Sequence, residues 1–301
     1  MKLINQKAEY FPQAPGLEGI YKQIELCGRT CYKSEDKITD ESAKPFVDRM
    51  IASKHTAMLE HGTVYLIFDC IRKEYLDYHG EEYCNNPYSK VNIDSNEYDS
   101  DVRTYYITTN LRVIIENNWI DDLKYISEPT KYHEKRYTFR LTTSRSISHE
   151  LVRHRTFSFA QESQRYCNYS KDKYGHEITF IKPSWYDETK IPVFKNSQTV
   201  IEANMYQQDE VSQIFEKSLR DAEIYYLDLL NSGLKPEEAR VVLPNATKTE
   251  ICMTGFRSDW EHFFNLRLYE ETGKVHPDMK QLTTLMKEEC NKAGIIFINK
   301  K

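Results

Sequence analysis

Helices and strands should alternate along this chain, so the sequence predicts the mixed α/β class. Three observations carry that expectation: runs with apolar side chains at three- and four-residue spacing, shorter β-branched and aromatic runs between them, and 301 residues with 40% hydrophobic content, enough to bury a sizeable core. With no internal repeat and no long linker, the chain suits one large domain or two small ones.

The elements follow in order. GLEGIYKQIELCGRTCY (16–32) places Leu17, Ile20, Ile24 and Cys27 on one helical stripe, and TDESAKPFVDRMIASK (39–54) reads as a second helix with a Thr/Asp start and Pro45 near its first turn. HTAMLEHGTVYLIFDC (55–70) turns at Gly62 and becomes a strand. Residues 71–102 are polar, rich in Tyr and Asn and weakly periodic; they open an expected surface insertion that runs to about residue 136 and holds a short strand (103–108) and a helix (109–118). RYTFRLTT (136–143) alternates like a strand, and SRSISHELVRHR (144–155) reads as a helix capped by Ser144 and carrying Ile147, Leu151 and Val152. The polar segment 168–206 contains a strand, ITFIKP (178–183). A long helix, about 207–231, has Val211, Ile214, Phe215, Ala222, Tyr225 and Leu229 on one stripe and Gly233 as its stop. Pro236 starts a short helix in PEEARVVLP, and TKTEICMTGFRSDWEHFFNLRLYEE (247–271) passes from strand to helix.

Composition excludes several classes. A net charge of −5 and a pI near 6.0 do not attract polyanions over the whole surface, so nucleic acid is not an expected partner and any anion site must be built locally. The seven cysteines form no C-x-x-C pair, which argues against a disulfide framework or a thiolate zinc site and for reduced thiols. MKLINQKAEYFPQAPG lacks the apolar centre of a signal peptide, and no apolar run approaches the ~20 residues of a spanning helix, so the expected location is cytoplasmic, away from membranes. G-x-G-x-x-G, G-x-x-x-x-G-K and G-x-S-x-G are all missing. His55 and His61 are too far apart to share a helical face, so no metal is expected there.

RHRTFSFAQESQRY (153–166) stands out against this background. Arg153, His154, Arg155 and Arg165 crowd around the single carboxylate of Glu162, hydroxyls and amides from Ser158, Gln161, Ser163 and Gln164 add neutral donors, and Phe157, Phe159 and Tyr166 offer flat apolar surface. Phosphate plus a planar ring suggests a nucleotide. On the residues alone, a solvated helix end with a web of surface ion pairs is an equally good reading.

The spacing R-H-R-x-x-S-x-x-x-x-S-x-R resembles the signature of the flavin-dependent thymidylate synthases. HTAMLEH (55–61), EARVVLP (238–244) and FFNLR (263–267) resemble further segments of that family, in the same order along the chain. Four positions depart from its usual pattern: Ala57 replaces a Ser/Thr, Glu150 a frequent Gln, Gln161 a frequent Glu, and His262 a frequent Asn. The resemblance implies a twisted sheet flanked by helices, one domain over 1–301 with insertions at about 71–135 and 170–206, and a homotetramer with shared active sites. It further implies reductive methylation of dUMP to dTMP, with methylenetetrahydrofolate as carbon donor and FAD, reduced by NADPH, as hydride source. FAD would be held by His55, Ala57, Arg153, His154, Arg155, Gln161 and His262, and dUMP by Glu150, Arg153, Gln161, Glu162, Ser163, Gln164, Arg165, Arg240 and Arg267, with Arg267 catalytic at the uracil edge. Without the resemblance, Arg240 and Arg267 would more often brace carboxylates such as Glu238 or Glu270.

No Pro-Cys pair is present to serve as the nucleophile of the unrelated, cysteine-dependent synthases. Ser163 is not expected to replace it, because the guanidinium groups around His154 should depress that imidazole's pKa and weaken it as a base. The alternative is a homologue that binds nucleotide or nucleic acid without catalysis.

Overall fold

The computed structural model describes residues 1–71, 79–95, 102–186 and 210–297. In chain order the elements are strands β1 (Lys2–Ile4) and β2 (Lys7–Tyr10), helices α1 (Gly16–Tyr32) and α2 (Ala43–Ala52), strand β3 (Thr63–Ile71), helix α3 (Gly80–Asn85), strands β4 (Lys90–Ser95) and β5 (Val102–Asn110), helix α4 (Leu111–Glu116), strand β6 (Arg136–Ser144), helix α5 (Arg145–Leu151), strands β7 (Ser158–Gln161) and β8 (Thr179–Ile181), helices α6 (Glu210–Asn231) and α7 (Pro236–Ala239), strand β9 (Lys248–Phe256), and helices α8 (Arg257–Arg267) and α9 (Pro277–Lys292).

The mixed class holds, but the expected single sheet is divided into three. A four-stranded sheet runs β2-β6-β9-β7 and a three-stranded one β3-β5-β4, every pair antiparallel, while β1 and β8 make a separate parallel pair. β6 and β9 pair over their whole length, from Arg136 opposite Phe256 to Ser144 opposite Lys248. Phe139, Leu141, Ile251 and Met253 pack with Trp260, Phe263 and Phe264 of α8 and with Met279, Leu282 and Met286 of α9. On the other side Cys27 of α1 meets Ala160 and Cys252. The described cysteines are free thiols.

Several boundaries move for identifiable reasons. Helix 39–54 begins only at Ala43, with residues 39–42 forming a turn in which Ser42 Oγ accepts the Thr39 N–H at 2.8 Å. Starting there keeps Pro45, which has no N–H to donate, within the first turn. Helix 144–155 ends at Leu151, and Ser144 caps it as expected, its Oγ accepting the Ile147 N–H at 3.3 Å. The strand expected over 103–108 runs on to Asn110, whose Oδ1 then accepts the Val113 N–H at 3.1 Å and starts α4.

The stretch 71–135 is not simply a surface elaboration. β5 is the central strand of its sheet, and Ile107, Leu111 and Ile114 are buried with Ile20, Ile24, Phe46, Val47, Val64 and Leu66 in a second core. Local polarity concealed this, because an antiparallel strand needs only every second residue to be apolar. Residues 72–78 and 96–101 of that stretch, the 187–206 part of the second elaboration and the first three residues of the long helix expected at 207–231 lie outside the described residues. α9 and the short strands β1, β2, β4 and β7 lie beyond the expected elements.

His61, at the end of HTAMLEH, is buried against the four-stranded sheet with Nδ1 2.8 Å from Thr254 Oγ1. Burial, reinforced by Arg136, pulls its pKa down to about 3. An unfolded chain takes up this proton near pH 6.5 and the folded one only near 3, so stability contributed by the neutral ring is lost as pH falls through that window. Urea unfolding should show a loss of about 2 kcal/mol between pH 7 and pH 5 that is largely absent in His61→Asn. Parallel pH profiles for the two proteins would contradict this placement.

Candidate functional site

α5 stops at Leu151, just before the motif, where the like charges of Arg153 and Arg155 gain nothing from a continued helix. The turn is anchored by Phe157, buried with its ring centroid 4.6 Å from that of Trp260. Gly255 on β9 makes room: a Cβ there would lie 2.4 Å from Phe157 Cδ1. The His154 ring is thereby placed edge-on to Phe263 of α8, 4.9 Å between centroids.

One turn further along α8, Arg267 reaches back to the same place. Its Nε–H donates to His154 Nε2 at 3.0 Å and its Nη1 to Glu150 Oε2 at 3.2 Å. An imidazole nitrogen that accepts from a guanidinium must be unprotonated, so His154 carries its proton on Nδ1. Its pKa agrees, lowered to about 4 by burial and then by Arg267, His262 and Arg153. Arg153 and Arg155 are exposed and have no ion-pair partner among the described residues. Arg153 and Arg155 are thus free to meet an anion, whereas Arg267 is braced by Glu150 of α5 and by His154 just after it.

The second half of the motif is differently employed. Gln161 turns its amide inward, donating to Ser148 Oγ at 2.8 Å and Thr249 Oγ1 at 3.2 Å. Glu162 is buried, its side chain 1% exposed, and accepts from Lys248 Nζ at 2.7 Å. Lys248 also bonds Glu250 at 2.7 Å, and Glu250 bonds Lys33 at 3.0 Å, so two lysines and two glutamates alternate along one chain of contacts. Burial opposes ionisation of Glu250, but Lys248 and Lys33 hold its carboxyl down at about 2. Next to this network, the Ser163 N–H donates to Cys31 O at 3.0 Å, while Ser163 Oγ accepts the Arg165 N–H at 3.3 Å. Arg165 is exposed and 3.3 Å from Glu237. Gln164 is half-buried, and Arg240 is exposed, without an ion-pair partner among the described residues but close enough to help depress the pKa of half-buried Arg145 after burial has done so.

The expected site residues therefore fall into separate groups. Glu150, Arg153, His154, His262 and Arg267 share one neighbourhood. Ser163, Gln164 and Arg165, which follow β7 in the chain, and Arg240 present polar groups at or near the surface. Gln161 and Glu162 are engaged within the chain, and His55 and Ala57 are exposed at the turn of HTAMLEH, where the His55 side chain has no partner among the described residues. That segment is held by α4 instead: Glu60 pairs with Arg112 at 2.5 Å and the Thr56 hydroxyl bonds Glu116 at 2.6 Å. Arg267 braces Glu150 and not Glu270, which pairs with Lys280. Glu238 is likewise not braced by Arg240 but accepts the Lys235 N–H at 2.8 Å. Lys33, Lys248 and Glu250 are the residues that sequence reasoning missed, although Lys248 and Glu250 sit two apart on a strand and must share a face. Among the described residues, no group of three or more His, Cys, Asp or Glu side chains could hold a metal ion, and no helix is long and apolar enough to cross a membrane.

Arg267 of FFNLR meeting His154 of RHR joins two of the matched segments in space. A family model described as thymidylate synthase complementing protein matches residues 90–293, more than half of the chain and including both segments. The chain belongs to this family. Relatives named flavin-dependent thymidylate synthase are similar over part of their length. That of Geobacter sulfurreducens is 28% identical over 153 residues, 50% of this chain and 56% of its own. That of Pyrococcus furiosus is 30% identical over 157 residues, 52% of this chain and 54% of its own. The chain spans about half the length of these curated relatives. Among solved structures, a UMP/dUMP methylase, PolB, from Streptomyces cacaoi aligns over 97% of this chain and 93% of its own, with 16% identity and a TM-score of 0.44.

Proposed function

We propose that this family member is a flavin-dependent thymidylate synthase, converting dUMP to dTMP with methylenetetrahydrofolate as carbon donor, FAD as cofactor and NADPH as reductant. The observation that supports this reading best is the meeting of Arg267, His154 and Glu150 beside two motif arginines that lack carboxylate partners among the described residues. Such a donor set fits a dinucleotide: Arg153 and Arg155 supply charge-assisted bonds to a diphosphate, and His154, held neutral, adds a donor at Nδ1. His262 stands beside them, while His55, Ala57 and Gln161 complete the cofactor set on the resemblance. When bound, the reduced flavin supplies the hydride that no side chain can.

The chain's own residues bind, orient and stabilise. Ser163, Gln164, Arg165 and Arg240 hold the nucleotide phosphate and sugar, and Arg153 and Glu150 line the same site, with Gln161 and Glu162 supporting it from beneath. Arg267 faces the pyrimidine edge, where its planar fork stabilises the negative charge that develops as carbon 5 is activated. Ser163 does not act as a nucleophile in this scheme: its hydroxyl accepts a backbone N–H, and His154, the histidine nearest in sequence, has its Nε2 occupied by Arg267. The chain acts as one domain, with 71–135 built into its second core and an elaboration at about 170–206, in the cytoplasm as a homotetramer. Exposed Arg153, Arg155 and Arg240, unanswered within the described residues, support sites shared between subunits.

A visible absorption spectrum of the purified protein separates this reading from a non-catalytic homologue: flavin bands close to one per chain are expected, and their absence after reconstitution with FAD would overturn it. Arg267→Lys should leave dUMP binding nearly unchanged and slow turnover on the order of 10²-fold, because a point charge replaces a fork aimed at the ring. An equal loss of binding and rate would instead assign Arg267 to the phosphate.

A further inference from the structure

A cleft of about 490 Å³ lies where the end of β2 and the start of β6 face the start of β3, bounded further by the 126–129 segment and by residues 293–296 after α9. It shares no residue with the Glu150, His154 and Arg267 cluster. Its size falls within the range of small-molecule sites, and it sits between the two hydrophobic cores, where such sites concentrate. One wall is rigid: Gln13 clamps Thr63 on both sides, accepting its N–H at 2.8 Å and donating to its carbonyl at 2.7 Å.

Three phenol rings line the cleft, those of Tyr10, Tyr65 and Tyr137. The Tyr65 hydroxyl is committed, accepting the Arg136 N–H at 3.1 Å, whereas the hydroxyls of Tyr10 and Tyr137 have no hydrogen-bond partner among the described residues. Charge on the walls is unbalanced, with Lys135, Arg136 and Arg257 against Glu128. Arg257 is answered by Glu261 at 3.0 Å. Lys135 has no ion-pair partner among the described residues. Among the described residues the Arg136 guanidinium bonds only neutral acceptors, the Glu60 carbonyl at 3.0 Å, Thr63 Oγ1 at 3.4 Å and Ser158 Oγ at 3.5 Å. A half-buried guanidinium without a carboxylate partner keeps an uncompensated charge, and flat phenol faces beside it suit a ring.

We infer that this cleft is a second binding site, separate from the proposed active site, for a small planar aromatic molecule carrying one anionic group. The ring lies against Tyr10, Tyr65 and Tyr137, the two free hydroxyls bond its polar edge, and Lys135 with Arg136 answers the anion.

The test is calorimetric titration of the full chain with 2-naphthoate, 2-naphthyl phosphate and neutral 2-naphthol. One saturable site per chain is expected for an anionic probe, with a Kd near or below about 1 mM for so small a ligand, and much weaker binding for naphthol. The tighter of the two anions identifies the ligand's group as carboxylate or phosphate. Lys135→Glu should weaken anion binding by about tenfold or more, and Tyr137→Phe, which keeps the ring, by a few-fold, while Arg267→Lys leaves it unchanged. Failure of both anions to saturate, equal binding of naphthol, or anion affinity unaltered by both cleft substitutions would overturn the inference.

Discussion

Replacing Lys248 with methionine is expected to cost about 3–5 kcal/mol of folding stability, because it strands a carboxylate that has nowhere to go. Glu162 is all but sealed from solvent, and beyond Lys248 its contact is the Tyr169 hydroxyl at 3.4 Å. Such a bond cannot hold a buried charge, so the variant must either protonate Glu162 or open the end of β7 to water. Glu250 suffers less, since Lys33 still reaches it. The loss should appear as a lowered urea midpoint, and the double substitution Lys248→Met with Glu162→Leu should recover most of it, an apolar pair replacing the ionic one. A single-variant cost under about 1 kcal/mol would show that the pair is not a structural strut. Function should suffer too, because Glu162 directly precedes Ser163, and the segment that carries Ser163, Gln164 and Arg165 is tied to α1 through the Cys31 carbonyl.

Arg155→Ala should have the opposite profile, with flavin lost and the fold untouched. Arg155 is exposed and makes no ion pair among the described residues, so its removal strands no partner and unfolding should stay within about 0.5 kcal/mol of the parent. A diphosphate deprived of one charge-assisted bond loses roughly 1.5–3 kcal/mol, or about 10- to 150-fold in affinity. Arg153→Ala should do the same and also let the His154 pKa rise from about 4, since Arg153 is one of the groups that depress it. Full flavin occupancy in purified Arg155→Ala would remove this residue from the cofactor site.

The uneven legibility of the sequence has physical causes. α1 runs from Gly16 to Tyr32 as its stripe indicates, because Ile20, Ile24 and Cys27 all face buried surfaces. The long helix is weaker evidence of the same kind: Val211, Ile214 and Tyr225 on its stripe are exposed. The division into three sheets was not legible, since β1 pairs with β8 and β2 with β6 across separations that no local pattern encodes. α9, by contrast, carries Met279, Leu282, Met286 and Cys290 at helical spacing after His276 and Pro277, signals that are present in the sequence. At the candidate site, the motif spacings pointed to His154 and Arg267, but not to their bond, which depends on α8 and the end of α5 meeting over Phe263. Nor did Glu162 read as a buried ion-pair member, because its partners come from β9 and, through Glu250, from the residue after α1.

Formation of dTMP from dUMP tests the central proposal most directly, followed with the purified chain stripped of bound flavin, then supplied with FAD, NADPH and methylenetetrahydrofolate and repeated with each omitted in turn. The account predicts product only when all are present. Product formed by flavin-free protein, or none from protein with flavin fully bound, would contradict it.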